Sequence, residues 1–132
     1  MEQFFTRGNA NQGAKMPLYN LDGTQSEEYL VVLGVDSDEY RKADLLSKRA
    51  IAKIANMESD EERVEAMSKL TYEQLGVLIK EWSFEVPCTK SNKTKLLKEA
   101  PHIADAVNKF AAKRMNFVPK KSTSSTSTSK QQ

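Results

Sequence analysis

A chain of 132 residues, 39% hydrophobic and 29% charged, carries apolar material for one modest core and not for two. With a single cysteine it forms no internal disulfide, and its longest apolar run, Tyr29 to Val35, is far below the ~20 residues that a membrane-spanning helix needs. The net charge of +2 is unevenly spread: Lys and Arg against Asp and Glu stand at 2 to 5 over residues 1–37, 8 to 11 over 38–86 and 10 to 2 over 87–132, so the last third carries +8. Such a block steers acidic partners or simply solvates a surface and tail. No aromatic residues interleave with the tail lysines as a surface for single-stranded nucleic acid requires.

Residues 1–15, rich in Gly, Asn and Gln, read as a loosely held, flexible arm whose Phe4 and Phe5 could dock on the rest of the fold. They contain neither the charged region and apolar stretch of a signal peptide nor its cleavage site, and a cytosolic, soluble chain is expected. Residues 16–35 read as a β-hairpin turning at Asp22-Gly23. In its second strand Tyr29, Val31, Leu33 and Val35 alternate with Leu30 and Val32, so both faces are apolar. Helices are expected over one face; the other is left either to the chain's own helices or to a second subunit or partner.

From Asp36 the period becomes helical. Asp36 or Ser37 caps a helix, with Glu39 completing a capping box, and Tyr40, Ala43, Leu46, Ala50, Ile54 and Met57 form its apolar stripe to an end near Asn56–Ser59. Ser59 with Glu62 repeats the signal ahead of Val64, Met67 and Leu70, and Thr71 with Gln74 offers a further start running through Leu75, Leu78 and Ile79 to Trp82. Whether this middle region is one bent helix or two stays open. Pro87 forces Val86 extended and makes a corner, Thr89 with Asn92 caps the next helix, and Pro101 suits the first turn of a last helix bearing Ile103, Val107, Phe110 and Ala111. Residues 119–132, a Ser/Thr/Lys tail without an apolar side chain after Pro119, are expected to be disordered. The fold class is therefore α+β and mostly α: an N-terminal β-hairpin, then a small bundle of four to five helices, in one domain over residues 16–118.

Chemistry is sparse. His102 is the only histidine, so Cys88 and His102, fourteen residues apart, are the sole nucleophile and base candidates, and no third group orients the imidazole. One Cys and one His fall short of a zinc site. The run Glu58, Asp60, Glu61, Glu62 and Glu65 lacks the alternation and central Gly of a calcium loop, and acids in a helix's first turn are explained by the macrodipole. The five glycines form no phosphate-binding pattern; Gly34 reads as a bend between strand and helix. No catalytic residue, cofactor or metal is assigned, and no enzyme activity is expected. Trp82 and Phe84 are either partner anchors or the packing of a corner.

Two stretches, LDGTQSEEYLVVLGVDSDEYRKA at 21–43 and LIKEWSFEVPCTKSNKTKLLKEAPHIADAVNKFAAKRMNF at 78–117, resemble the tail assembly chaperones of long-tailed, siphovirus-type bacteriophages. That family shows a strand pair closing on a G-x-D-S-x-E-Y turn into a helix, then a Trp at a helix end, a Cys-Thr corner and an L-L-x-x-x-P step into a final helix. The resemblance implies a non-catalytic role in virion morphogenesis: binding and solubilising the tape measure protein in the host cytoplasm, with the tail tube protein reached through a frameshift-extended form, and absence from the mature virion. It would make the Ser/Thr tail a tether and Lys120-Lys121 a slippery codon pair. Tyr29, Val31, Leu33, Trp82 and Phe84 are then the partner-binding candidates, self-association is a further expectation, and neither membrane nor nucleic acid is a favoured partner. The other reading is a small basic nucleic-acid-binding or regulatory protein using the +8 third.

Overall fold

The computed structural model describes residues 1–118; the expected disorder of residues 119–132 lies outside them. The protein is α+β and mostly helical. A three-stranded antiparallel sheet, in the order β1 (Ala14–Tyr19), β2 (Gln25–Val32), β3 (Ile79–Trp82), packs with five helices: α1 (Arg7–Gln12), α2 (Asp38–Ala55), α3 (Asp60–Val77), α4 (Lys90–Glu99) and α5 (Pro101–Ala112).

The hairpin turns where the Asp-Gly pair placed it. Gly23 adopts φ +92°, which glycine takes without a Cβ clash, and Asp22 Oδ1 accepts from both the N–H and the hydroxyl of Thr24. Two extra residues of β2 bulge between the pairs Pro17↔Tyr29 and Tyr19↔Gln25. Ser26 stitches this bulge, its hydroxyl donating to Leu18 O at 2.8 Å and accepting from Glu28 N–H at 3.1 Å. Pro17 fits because Tyr29, opposite it, turns its N–H and C=O to Ser83 on the β3 side, so no ladder bond toward β1 is demanded at that pair.

Two elements depart from the sequence reading. The periodicity expected a helix running on to Trp82, whereas α3 is one continuous helix that stops at Val77, and residues 79–82 form the third strand, with Leu30↔Trp82, Val31↔Glu81 and Val32↔Ile79 paired and Lys80 bulged between them. Leu75, Leu78 and Ile79 suit a buried helix or a buried strand equally well, and the open edge of β2 decides for the strand. The aperiodic N-terminal stretch contains α1, too short to show a period, which continues directly into β1 at Ala14. Gly13, at φ +80°, makes that turn. Ala10 is 2% exposed, and Gly34 donates to its carbonyl at 3.1 Å. Gly34 stands at the turn between β2 and α2, where its carbonyl accepts from Ser37 N–H at 2.9 Å, and a Cβ there would stand 2.8 Å from that of Ala10, so the glycine also serves close approach.

Three of the expected caps form, whereas Ser37 rather than Asp36 opens α2, leaving Glu39 outside a capping box, and Thr71 lies inside α3 with its hydroxyl donating to Met67 O instead of starting a helix. Ser37, Ser59 and Thr89 accept from the backbone N–H groups of Tyr40, Glu62 and Asn92, and Pro101 opens α5. The core lies between one face of the sheet and the helices, with Leu30, Val32, Leu78, Ile79, Leu97 and Val107 fully buried. The stripe expected on α2 is only partly inward: Ile54 is buried but Leu46 is 54% exposed, and the buried line runs instead through Ser47. On α3, Val64 and Met67 are exposed, and Leu70 is half-buried.

Candidate partner-binding surface

Cross-strand partners project to the same face of a sheet, so the strand register sorts the candidate residues. Met16, Leu30 and Trp82 share the inner face, whereas Lys15, Val31 and Glu81 share the outer one, together with the pair Pro17 and Tyr29. Tyr29 and Val31 are half-buried there. The Lys15 ammonium lies 4.5 Å from the centre of the Tyr29 ring, a cation–π contact, and charged Lys15 and Glu81 stand on either side of Val31. The outer face is thus a narrow apolar stripe between charges, not a broad patch.

Leu33, grouped with these two by alternation, does not belong with them. Alternation ends with β2 at Val32; the next N–H donates to Leu78 O at 2.7 Å and the Leu33 side chain, 3% exposed, enters the core. It is unavailable to a partner.

Trp82 and Phe84 form the other site. Their rings meet edge to face with centroids 5.1 Å apart, and the Trp82 indole N–H donates to Val86 O at 2.8 Å, closing the turn that follows β3. Both rings are half-buried: one side of the pair packs on the core and the other remains accessible. Beyond them Val86 is 56% exposed, and with Leu96 of α4 and Ala100, the residue that ends that helix, it lines an open groove of about 380 Å³. Asn92, Lys95 and Glu99 give its rim polar groups of both signs. Val86, Leu96 and Ala100 were not singled out as contact residues from the sequence. The Pro87 corner was the available signal for Val86, since the residue before a proline is held extended. Asn92 fixes that corner, its side-chain amide donating to Pro87 O at 2.9 Å.

The groups with chemical potential do not converge. Cys88 is half-buried beside the core, and burial pushes its thiol up from the usual value, away from the nucleophilic thiolate. His102 is exposed on α5, in a different groove, with Met16 and Phe110. Among the described residues no three His, Cys, Asp or Glu side chains gather to hold a metal ion, and no helix is long and apolar enough to cross a membrane. The strongest polar contacts are structural. Arg114 makes a bidentate pair with Asp36 at 2.7 and 2.9 Å, holding that carboxyl at about 2, and Arg7 makes another with Asp38 at 2.6 and 2.8 Å. These pairs tie both ends of the described chain to the entry of α2.

Fold and surface together describe a small α+β protein whose distinctive exposed features are apolar grooves. The chain matches no family model, no curated protein and no solved structure.

Proposed function

We propose that this protein works by binding another chain and acts as a tail assembly chaperone of the kind found in long-tailed bacteriophages, shielding apolar segments of the tape measure protein until the tube forms around it. The observation that carries this reading is the Trp82–Phe84 pair, held edge to face beside an exposed Val86 at the mouth of a groove of about 380 Å³. Aromatic side chains in a partly desolvated pocket, with polar groups confined to the rim, are the usual anchors of a protein interface. The resemblance over residues 21–43 and 78–117 supports the same assignment, and both Trp82 and the Cys-Thr corner fall within the second stretch.

Co-expression with the tape measure protein tests it. The expected result is a soluble complex that survives moderate salt, because apolar burial rather than charge holds it. Val86→Glu, a change at a position 56% exposed and therefore harmless to folding, should weaken that complex about tenfold or more by placing a charge against apolar surface. A tape measure protein that stays insoluble beside well-folded wild-type chain refutes the proposal. Steeply salt-dependent binding to DNA or RNA would instead favour the nucleic-acid reading of the basic C-terminal third.

A further inference from the structure

A second groove, distinct from the Trp82 corner, runs between the edge strand β1 and α5 and encloses about 480 Å³. Its floor is apolar: Met16 and Leu18 from the strand, Ile103 and Phe110 from the helix. Ala106 sits between them on α5, exposed and small enough to let another backbone approach. His102 and Lys109, seven residues apart on one side of α5, and Lys113, just past the end of that helix, all border the groove above that floor. Among the described residues no carboxylate lines this groove, and neither Lys109 nor Lys113 has a salt-bridge partner. The rim therefore carries uncompensated positive charge, unlike the mixed rim at Trp82.

The strand wall narrows the choice of occupant. β1 is an edge, where an added strand would normally dock, but Pro17 turns its backbone outward there and has no N–H to give. An incoming strand would meet a broken ladder. A helix needs no backbone bonds from the groove; it needs apolar side chains at i, i+3, i+4 and i+7 to fill the floor and acids beside them to meet the lysines.

We infer that the groove between β1 and α5 receives an amphipathic helix of the partner chain whose apolar face is flanked by carboxylates, with Lys109 and Lys113 reading the charge. The assignment rests on the partner-binding function proposed above and adds to it the chemistry of the segment bound.

The test uses the full chain and two labelled synthetic helical peptides that share one leucine face at i, i+3, i+4 and i+7, flanked by Glu in one and by Lys in the other, with binding read by fluorescence anisotropy at about 0.1 M salt. The wild type should prefer the Glu-flanked peptide. Lys109→Glu with Lys113→Glu, both at exposed positions, should weaken that peptide about tenfold and strengthen the Lys-flanked one. Ala106→Trp, also exposed, should abolish binding by filling the space above the floor. Equal affinity for the two peptides, no binding of either, or insensitivity to the charge reversal overturns the inference. Co-expression separates the two proposals: a tape measure protein kept soluble by the wild type and equally by the reversed variant, but lost with Val86→Glu, leaves the chaperone reading standing and removes this groove from it.

Discussion

Gly34→Ala isolates the contact that joins the N-terminal helix to the rest of the fold. The backbone at Gly34 is not in the left-handed region, so alanine fits its conformation, and in open space the change would stabilise by ~0.4–1 kcal/mol through the unfolded chain. Space is what is missing: the new methyl would stand 2.8 Å from Ala10 Cβ and 3.3 Å from Ala10 Cα. Carbon atoms pack at about 3.5–4.0 Å, so α1 must retreat by a large fraction of an ångström. It is not free to do so, because Gly34 N–H donates to Ala10 O at 3.1 Å and Arg7 and Asn11 both bond Asp38. Overpacking of this kind costs ~1–3 kcal/mol, which outweighs the entropic gain and leaves a net loss of about 1–2 kcal/mol. Urea unfolding followed by the fluorescence of Trp82, the only tryptophan, measures it. Ala10→Gly removes the opposing methyl, so the double variant should recover at least ~0.5 kcal/mol relative to the sum of the single changes. A Gly34→Ala protein as stable as wild type, or a double variant that is strictly additive, would refute the close-approach argument.

The Asp36–Arg114 pair gives a pH dependence of defined sign. Asp36 is held at about 2, below its usual 3.8, chiefly by the Arg114 hydrogen bond, so its contribution is present above pH ~4 and is lost as pH falls toward 2. Because Arg114 is more than half exposed, screening reduces that contribution to the order of 1 kcal/mol, and Asp36→Asn should lose about that much of the stability difference between pH 6 and pH 2 in urea titrations. Trp82→Phe keeps an aromatic ring beside Phe84 but deletes the indole N–H donated to Val86 O at 2.8 Å, and should cost about 1 kcal/mol by circular dichroism in urea. An unchanged midpoint would mean that the turn after β3 is held by other contacts.

What the sequence made legible was local. The Asp-Gly turn, the Ser37, Ser59 and Thr89 caps and Pro101 each depend on residues within a few positions of one another, and each stands where its chemistry put it. What escaped was decided by distant neighbours. Ile79 to Trp82 is a strand because β2, nearly fifty residues earlier, presents an open edge, and α1 is fixed by Asp38 and Gly34. The candidate surface followed the same rule. Strict alternation put Leu33 beside Tyr29 and Val31, but the ladder ends one residue before it, and the register places Trp82 on the face opposite to theirs. The two grooves pair residues such as Phe84 with Ala100 and Met16 with Phe110, which no local pattern connects.

The same logic accounts for the misread stripes on α2 and α3. These 18-residue helices pack on one another, yet Leu46, Ile51, Val64 and Met67 remain exposed, while the buried line of α2 includes Ser47 and reaches Ile54. Ser47 bonds Asp44 O, and Gln74 of α3 reaches Asp44 and the Tyr40 hydroxyl at 3.2 and 3.4 Å, so part of the seam is polar. A seam of this kind buries little apolar area, and in proteins most helical stability comes from packing an apolar face rather than from propensity. The Ser37 and Ser59 caps, each worth ~1 kcal/mol, then supply a larger share of stability here than they would above a leucine-rich seam. Apolar periodicity identifies a helix, but which flank it buries is set by the partner that arrives, and α3 arrives on the small and polar side.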